Sequence, residues 1–293
     1  MSIAVTLIAG FLGAGKTTLI NRLLQNEAGL AIAAIVNDFG SINIDAALIS
    51  ENSEDVIGLK NGCVCCSLQG DLLRTLKSIL SRDGRIDHIL IEASGVSDPQ
   101  GIIEVLMDPV VHEAVKLDAV VTVVDVEALA DNPALEADPL WLAQVTAGDF
   151  IALSKGTEDQ VADMEARMRA RGKTLVFPNI SPPTVAMLGS GPVERPVRPG
   201  QPVLANDRFV TLEWQWKGSV SAQAFQACIE TLVPSLVRAK GIINLQGQGA
   251  RSFNFNLVGR RATIEPMARR QEDCQLVLIG ERGKLDLDNA RTM

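Results

Sequence analysis

The chain has 293 residues, 47% of them hydrophobic, with 35 acidic against 27 basic side chains and a net charge of −8. That length supports a large core and two domains, and the lack of a basic stripe argues against sequence-independent nucleic-acid binding. No run approaches the ~18 uninterrupted apolar residues of a membrane span. The chain also opens directly on an apolar strand that feeds a glycine-rich loop, so no removable leader is expected and the reading is a cytoplasmic protein.

Residues 3–9, Ile-Ala-Val-Thr-Leu-Ile-Ala, read as a short buried strand, while Leu19, Ile20, Leu23 and Leu24 fall at helical spacing. Between them, residues 10–18 spell Gly-Phe-Leu-Gly-Ala-Gly-Lys-Thr-Thr, a complete Gly-x-x-x-x-Gly-Lys-Thr phosphate loop between a strand and a helix. Glycines at such a turn let successive backbone N–H groups face a phosphate chain, and the helix N-terminus adds partial positive charge. The nucleotide-binding set is therefore Gly10, Gly13, Ala14, Gly15, Lys16, Thr17 and Thr18. Lys16 is the group that reaches the β- and γ-phosphates, and the Thr17 hydroxyl is a ligand for Mg²⁺.

Residues 31–36 read as a second buried strand, followed by Asn37, Asp38, Phe39 and Gly40. Asp38 is either a carboxylate at the ligand edge of the sheet or a turn residue ahead of a glycine. A short apolar segment at 56–59 leads to Gly62-Cys63-Val64-Cys65-Cys66, and Leu72, Leu73, Leu76, Ile79 and Leu80 then mark an amphipathic helix. Three thiols in four residues suit a soft-metal site for Zn²⁺, Cu⁺ or, less selectively, Co²⁺. Three ligands leave a tetrahedral ion one position for a carboxylate, water or an acceptor. A redox pair or inert cysteines are the competing readings. The other two cysteines, Cys228 and Cys274, lie in apolar stretches and read as ordinary core residues.

Residues 87–91 form a further apolar strand ending in Glu92, with Gly95 three residues on and Pro99 opening a short helix. An acid at the end of such a strand holds Mg²⁺ or orients the attacking water, and Gly95 can offer its N–H to the γ-phosphate. The catalytic set is Lys16, Glu92 and Gly95. Residues 119–125 and 150–153 are two more strands, and residues 126–147 read as helical with breaks near Pro133 and Pro139. The last of these strands is followed by Ser154, Lys155, Gly156, Thr157, Glu158 and Asp159. Many GTPases have Asn-Lys-x-Asp here: the Asn braces the loop, the Lys stem covers the base and the Asp reads guanine. Only Lys155 keeps its type. Glu158 or Asp159 either takes over the reading or caps the next helix.

Strands and helices alternate as far as residues 173–177, which gives a mostly parallel α/β sheet with helices on both faces over residues 1–178. Residues 179–206, rich in Pro and Gly, read as a linker. Residues 207–293, with one helical stripe and short strands near 209–214, 241–246, 252–258 and 274–280, read as a smaller α+β domain with an antiparallel sheet.

With these motifs in order, the chain resembles the CobW-like family of P-loop GTPases and metallochaperones. The resemblance rests on residues 10–18, on Val36 to Gly40, on the Gly-Cys-x-Cys-Cys at 62–66 and on the Glu-x-Ser-Gly-x-x-x-Pro at 92–99. It extends into the tail at 238–241 and 275–280. It implies a nucleotide-hydrolysing metallochaperone that uses GTP, with ATP as the alternative. Zn²⁺ or Co²⁺ would be held by Cys63, Cys65, Cys66 and Asp38, and Mg²⁺ by Thr17, Asp38 and Glu92. Delivery would go to a client metalloprotein, from a monomer or a nucleotide-dependent homodimer. A thiol sensor whose phosphate loop responds to nucleotide without delivering metal is the alternative. Asp38 stands where the family has Glu, one methylene longer, and no His-rich tract is present.

Overall fold

The computed structural model describes residues 2–24, 31–36, 56–58, 68–81, 86–178, 209–248, 251–258, 261–267 and 271–286. They fall into two compact units, one before and one after residue 206.

The first unit holds strands β1 (Ile3–Gly10), β2 (Ile32–Val36), β3 (Val56–Gly58), β4 (His88–Glu92), β5 (Val115–Asp125), β6 (Phe150–Ser154) and β7 (Leu175–Phe177). They form one seven-stranded sheet in the order β3-β2-β4-β1-β5-β6-β7. Every pairing in it is parallel. A parallel sheet is covered on both faces, so its strands are near-continuous apolar runs, as β2 and β4 are. Helix α1 (Lys16–Leu24) packs Leu19, Ile20 and Leu23 on one face of the sheet. Helices α2 (Leu68–Leu80) and α3 (Gln100–Met107) cover the other, with Leu72, Leu76, Ile102 and Leu106 against Leu7, Ile35 and Ile91.

After α3 come a short helix α4 (Pro109–His112), α5 (Val126–Asp131), a 3₁₀ turn at Pro133–Ala137, α6 (Pro139–Ala147) and α7 (Glu158–Ala170). The expected breaks near Pro133 and Pro139 are thus starts: each proline stands in the first turn of its helix, where its missing N–H and fixed φ are no handicap.

The second unit is an antiparallel five-stranded sheet, β8 (Phe209–Lys217), β9 (Leu236–Asn244), β10 (Ser252–Val258), β11 (Arg261–Pro266) and β12 (Asp273–Glu281), in the order β11-β10-β9-β12-β8. Helix α8 (Ala222–Leu232) is capped by the Ser221 hydroxyl, which accepts from the Ala224 N–H at 3.1 Å. It lays Phe225, Ile229 and Leu232 on Leu212, Phe255 and Leu276, with Phe225 edge-on to Phe255 at 4.9 Å. The expected linker at 179–206 lies outside the described residues.

Candidate functional site

Six strand ends make one edge. The chain leaves β1 at Gly10, and its neighbours β4 and β5 end at Glu92 and Asp125, with β6 ending at Ser154 level with Asp125. On the other side Val36 is level with Glu92, and Gly58 is level with Val36. This carboxyl edge is where open α/β sheets hold their ligands.

The phosphate loop's glycines are required by its geometry. Gly10, Gly13 and Gly15 have φ of 140°, 74° and 101°, and a Cβ on Gly10 would stand 2.4 Å from the Val123 carbonyl oxygen. The first turn of α1 carries no acid of its own, which suits a helix N-terminus that receives an anion. Lys16 is 3% exposed, and its ammonium donates to the carbonyls of Gly10 at 3.0 Å and Phe11 at 3.2 Å. That places the charge over the loop it would serve. The Thr17 hydroxyl lies 3.3 Å and 3.4 Å from the two carboxylate oxygens of Glu92, which is itself buried. Residues 75 positions apart thus bring a hydroxyl and a carboxylate together beneath the loop. Hard oxygens alone in this arrangement form a donor set of the kind Mg²⁺ takes. Gly95 is the close approach on the far side: a Cβ there would be 2.9 Å from Leu12 of the phosphate loop.

The base-side loop is held by side-chain contacts to the phosphate loop and to its own helix. The Ser154 hydroxyl sits 2.6 Å from the Ala14 carbonyl and 3.2 Å from that of Val124, so this side chain braces the phosphate loop to the sheet in the place of an Asn. Lys155 takes φ of 59° and its ammonium donates to the Gly13 carbonyl at 2.9 Å and to Asp125 Oδ2 at 2.5 Å. Thr157 does something else. It is the N-cap of α7, its hydroxyl accepting from the Gln160 N–H at 3.4 Å while Gln160 Oε1 accepts from the Thr157 N–H at 2.9 Å. The cap is therefore Thr157, while Glu158 and Asp159 occupy the first turn. Of these two acids, Glu158 lines a cavity of about 430 Å³ with Lys155, Gly156, Val161 and Pro178.

Asp38, Cys63, Cys65 and Cys66 lie outside the described residues. Among the described residues no cluster of three or more His, Cys, Asp or Glu is placed to hold a metal ion. Burial pushes the thiols of Cys228 and Cys274 above their ordinary value, which makes them poor thiolate ligands. The Cys274 Sγ is engaged within the second sheet, accepting from the Asn244 N–H at 3.1 Å.

Two residues of the edge escaped the sequence reading. Asp125 both anchors Lys155 and caps α5, its Oδ1 accepting from the Ala128 N–H at 2.9 Å. An acid at the end of a strand beside the phosphate loop was the available signal. Gln144 of α6 is 1% exposed and donates to the carbonyls of Gly95 at 3.3 Å and Ser97 at 3.0 Å. Its signal was a long polar side chain in a helix otherwise apolar almost all round, which must find partners when buried.

The family model for the CobW/HypB/UreG nucleotide-binding domain matches residues 4–176, and that for the cobalamin synthesis protein cobW C-terminal domain matches residues 209–292. The chain is 38% identical over 179 residues to the zinc chaperone CobW of Sinorhizobium sp., covering 52% of this chain and 51% of that one. It is 35% identical over 178 residues to the zinc chaperone YjiA of Escherichia coli, covering 58% and 55%. To the zinc-regulated GTPase metalloprotein activator 1 of Dictyostelium discoideum it is 35% identical over 182 residues, covering 56% and 35%. The matched regions span about half or less of those relatives' length. Among solved structures, the Zn(II)-bound YjiA GTPase from E. coli aligns over 100% of this chain and 98% of that one, at 23% identity and a TM-score of 0.43.

Proposed function

Because the chain belongs to the CobW family of P-loop nucleotide-binding proteins, we propose that it is a GTP-hydrolysing metallochaperone. In this reading it carries zinc on Cys63, Cys65 and Cys66 and gives it up to a client metalloprotein as the nucleotide is hydrolysed. The observation that carries the proposal is the meeting of Lys16, Thr17, Glu92 and Gly95 at the edge where β2 and β3 also end. The chain leaves β3 at Gly58 on that edge, and α2 begins at Leu68.

In the proposed cycle the backbone N–H groups of residues 13–18 and the α1 N-terminus receive the phosphates. Lys16 exchanges its two carbonyl partners for phosphate oxygens. Gly95 donates its N–H to the terminal phosphate, and Glu92 orients the attacking water. Thr17 and Glu92, with Asp38, are the residues that would hold Mg²⁺, whose chemistry is to neutralise charge on the phosphate oxygens. Triphosphate orders the loops after β2 and β4, and its hydrolysis releases them. The zinc ion is cargo: it binds deprotonated thiols, so its affinity rises with pH. Turnover without a client is slow, because residues 10–18 include no arginine to stabilise the developing charge. With Thr157 committed to its helix, guanine is read by Glu158, which follows the loop and lines the cavity beside Lys155 together with Glu165.

The test is an anaerobic Zn²⁺ titration of metal-free protein against a competing chelator. It is run without nucleotide, with GDP, and with GTP or ATP analogues plus Mg²⁺. One tight zinc per chain whose affinity changes with triphosphate and not with diphosphate is expected, and Cys65→Ser should abolish it. Tight zinc indifferent to nucleotide would uncouple the two sites. No tight zinc, with reversible thiol loss on oxidation, would replace the chaperone reading by a redox one.

A further inference from the structure

Helix α6 buries Leu140, Trp141, Ala143 and Val145 in the core of the first unit, and Gln144 is buried among them. Both hydrogens of its amide go to one place. They reach the carbonyls of Gly95 and Ser97, on the loop that joins Glu92 to α3. The amide stands on a fixed support, because the Thr122 hydroxyl of β5 donates to the Gln144 main-chain carbonyl at 2.7 Å. Among the described residues its oxygen, Oε1, is buried with no hydrogen-bond partner.

Gly95 is consequently held from two sides. The phosphate loop stands in front of it, with Leu12 2.9 Å from where a Cβ would be, and Gln144 stands behind. Peptide groups are planar, so fixing the carbonyls of Gly95 and Ser97 fixes the planes that follow them and restricts the rotation of Gly95 itself. The Ser97 hydroxyl and N–H both turn back onto the Ser94 carbonyl, at 2.9 Å and 3.0 Å, which closes the loop into a compact turn that moves as one piece. Gln144 touches neither Lys16 nor the Thr17–Glu92 pair through any of these bonds; it acts on the loop alone.

We infer that Gln144 is a positioning residue for nucleotide hydrolysis: it holds the loop of residues 94–97 against the phosphate loop, so that the distinction between a nucleoside triphosphate and a diphosphate passes through its amide. The inference rests on the nucleotide-hydrolase reading above. A diphosphate needs only the phosphate loop and the α1 N-terminus. A triphosphate also needs Gly95, and Gly95 is placed by Gln144.

The experiment compares the wild-type chain with Gln144→Leu, which keeps the volume and removes both donors. It measures Kd for GDP and for a non-hydrolysable GTP analogue with Mg²⁺, together with kcat, KM and Tm. The expected result is a loss of about tenfold in analogue affinity and at least as much in kcat, with GDP affinity within about twofold of wild type. Thr122→Val, which removes the support without touching the amide, should give the same pattern in weaker form and carries the test if the Leu variant does not fold. Equal losses for GDP and the analogue, or unchanged kcat and analogue affinity, would overturn the inference. A wild-type chain that neither hydrolyses GTP nor distinguishes the two nucleotides would instead remove the reading on which it rests.

Discussion

Lys155 is the one non-glycine residue with positive φ among those described, at 59°. That conformation is disfavoured for a side chain of its length, and three contacts hold it: Gly13, Asp125 and the tight turn at Gly156, whose φ is 79°. The neighbouring Ser154 hydroxyl has one proton for two carbonyls, and the shorter contact is to Ala14 of the phosphate loop. Ser154→Ala is therefore expected to weaken GDP binding about fivefold, the worth of roughly one hydrogen bond of 1 kcal/mol, as read by a fluorescent nucleotide titration. Glu92→Gln keeps the shape of the site and removes its charge. It should leave Mg²⁺-free nucleotide binding intact while lowering Mg²⁺-dependent hydrolysis by about a hundredfold or more, as measured by single-turnover kinetics. The phosphate loop, Glu92 and Gly95 could be named from sequence because each has a fixed spacing relative to a strand end. Gln144 and Asp125 could not be assigned their partners that way, because those bonds cross 47 and 30 positions of the chain.

At the scale of elements, helix α7 shows why the base-reading loop was ambiguous. Thr157 and Gln160 form a capping box and two acids follow in the first turn, so a strong helix start occupies the position where a base-reading Asp is expected. Thr157→Ala should lower stability by about 1 kcal/mol in a denaturant melt and leave the ratio of GTP to ATP affinity unchanged. Glu158→Gln should do the reverse, with the ratio falling roughly tenfold and stability nearly constant. Strand boundaries were legible where the apolar run was clean and misread where charge interrupted it. The clean apolar run predicts a strand over 119–125, and the strand begins at Val115, because Lys116 and Asp118 break the pattern; the register shift between Val5 and Thr6 opposite accommodates the extra residue. Likewise β9 runs Leu236–Asn244, not 241–246, and carries buried Arg238 and Lys240 within it. Buried cations in a strand read as loop to any argument from hydrophobic alternation.

Across the whole first unit, the sheet's opposite end carries a buried polar group that the nucleotide site does not use. His88 opens β4 between Ala4 and Ile32, shares a 2.8 Å hydrogen bond with Thr6 and has Asp118 close by. Burial lowers its pKa from the ordinary 6.5, and the charge of Asp118 only partly opposes this. In the window between the lowered value and 6.5 the unfolded chain binds the proton and the folded chain does not, so stability rises with pH through that window, falls on acidification through it and levels off below the lowered value. A Tm series from pH 7.5 to 5 should show this decline, and His88→Gln should flatten it; an unchanged slope in the variant would assign the decline to carboxylates elsewhere.

The strand order has a consequence for how the protein is made. Strand β1 leaves the ribosome before either of its partners, which are residues 88–92 on one side and 115–123 on the other. At about 5–20 residues per second, both of its edges stay unpaired for on the order of ten seconds, and the Ser154 brace arrives later still. An apolar strand with open edges over that interval is a template for wrong pairing. Occupancy of the phosphate loop cannot protect it, because the loop has no scaffold until β5 is in place. Strand β1 is thus synthesised well before it can be assembled, and ribosome-stalled chains should gain nucleotide binding only after residues 150–154 have cleared the exit tunnel.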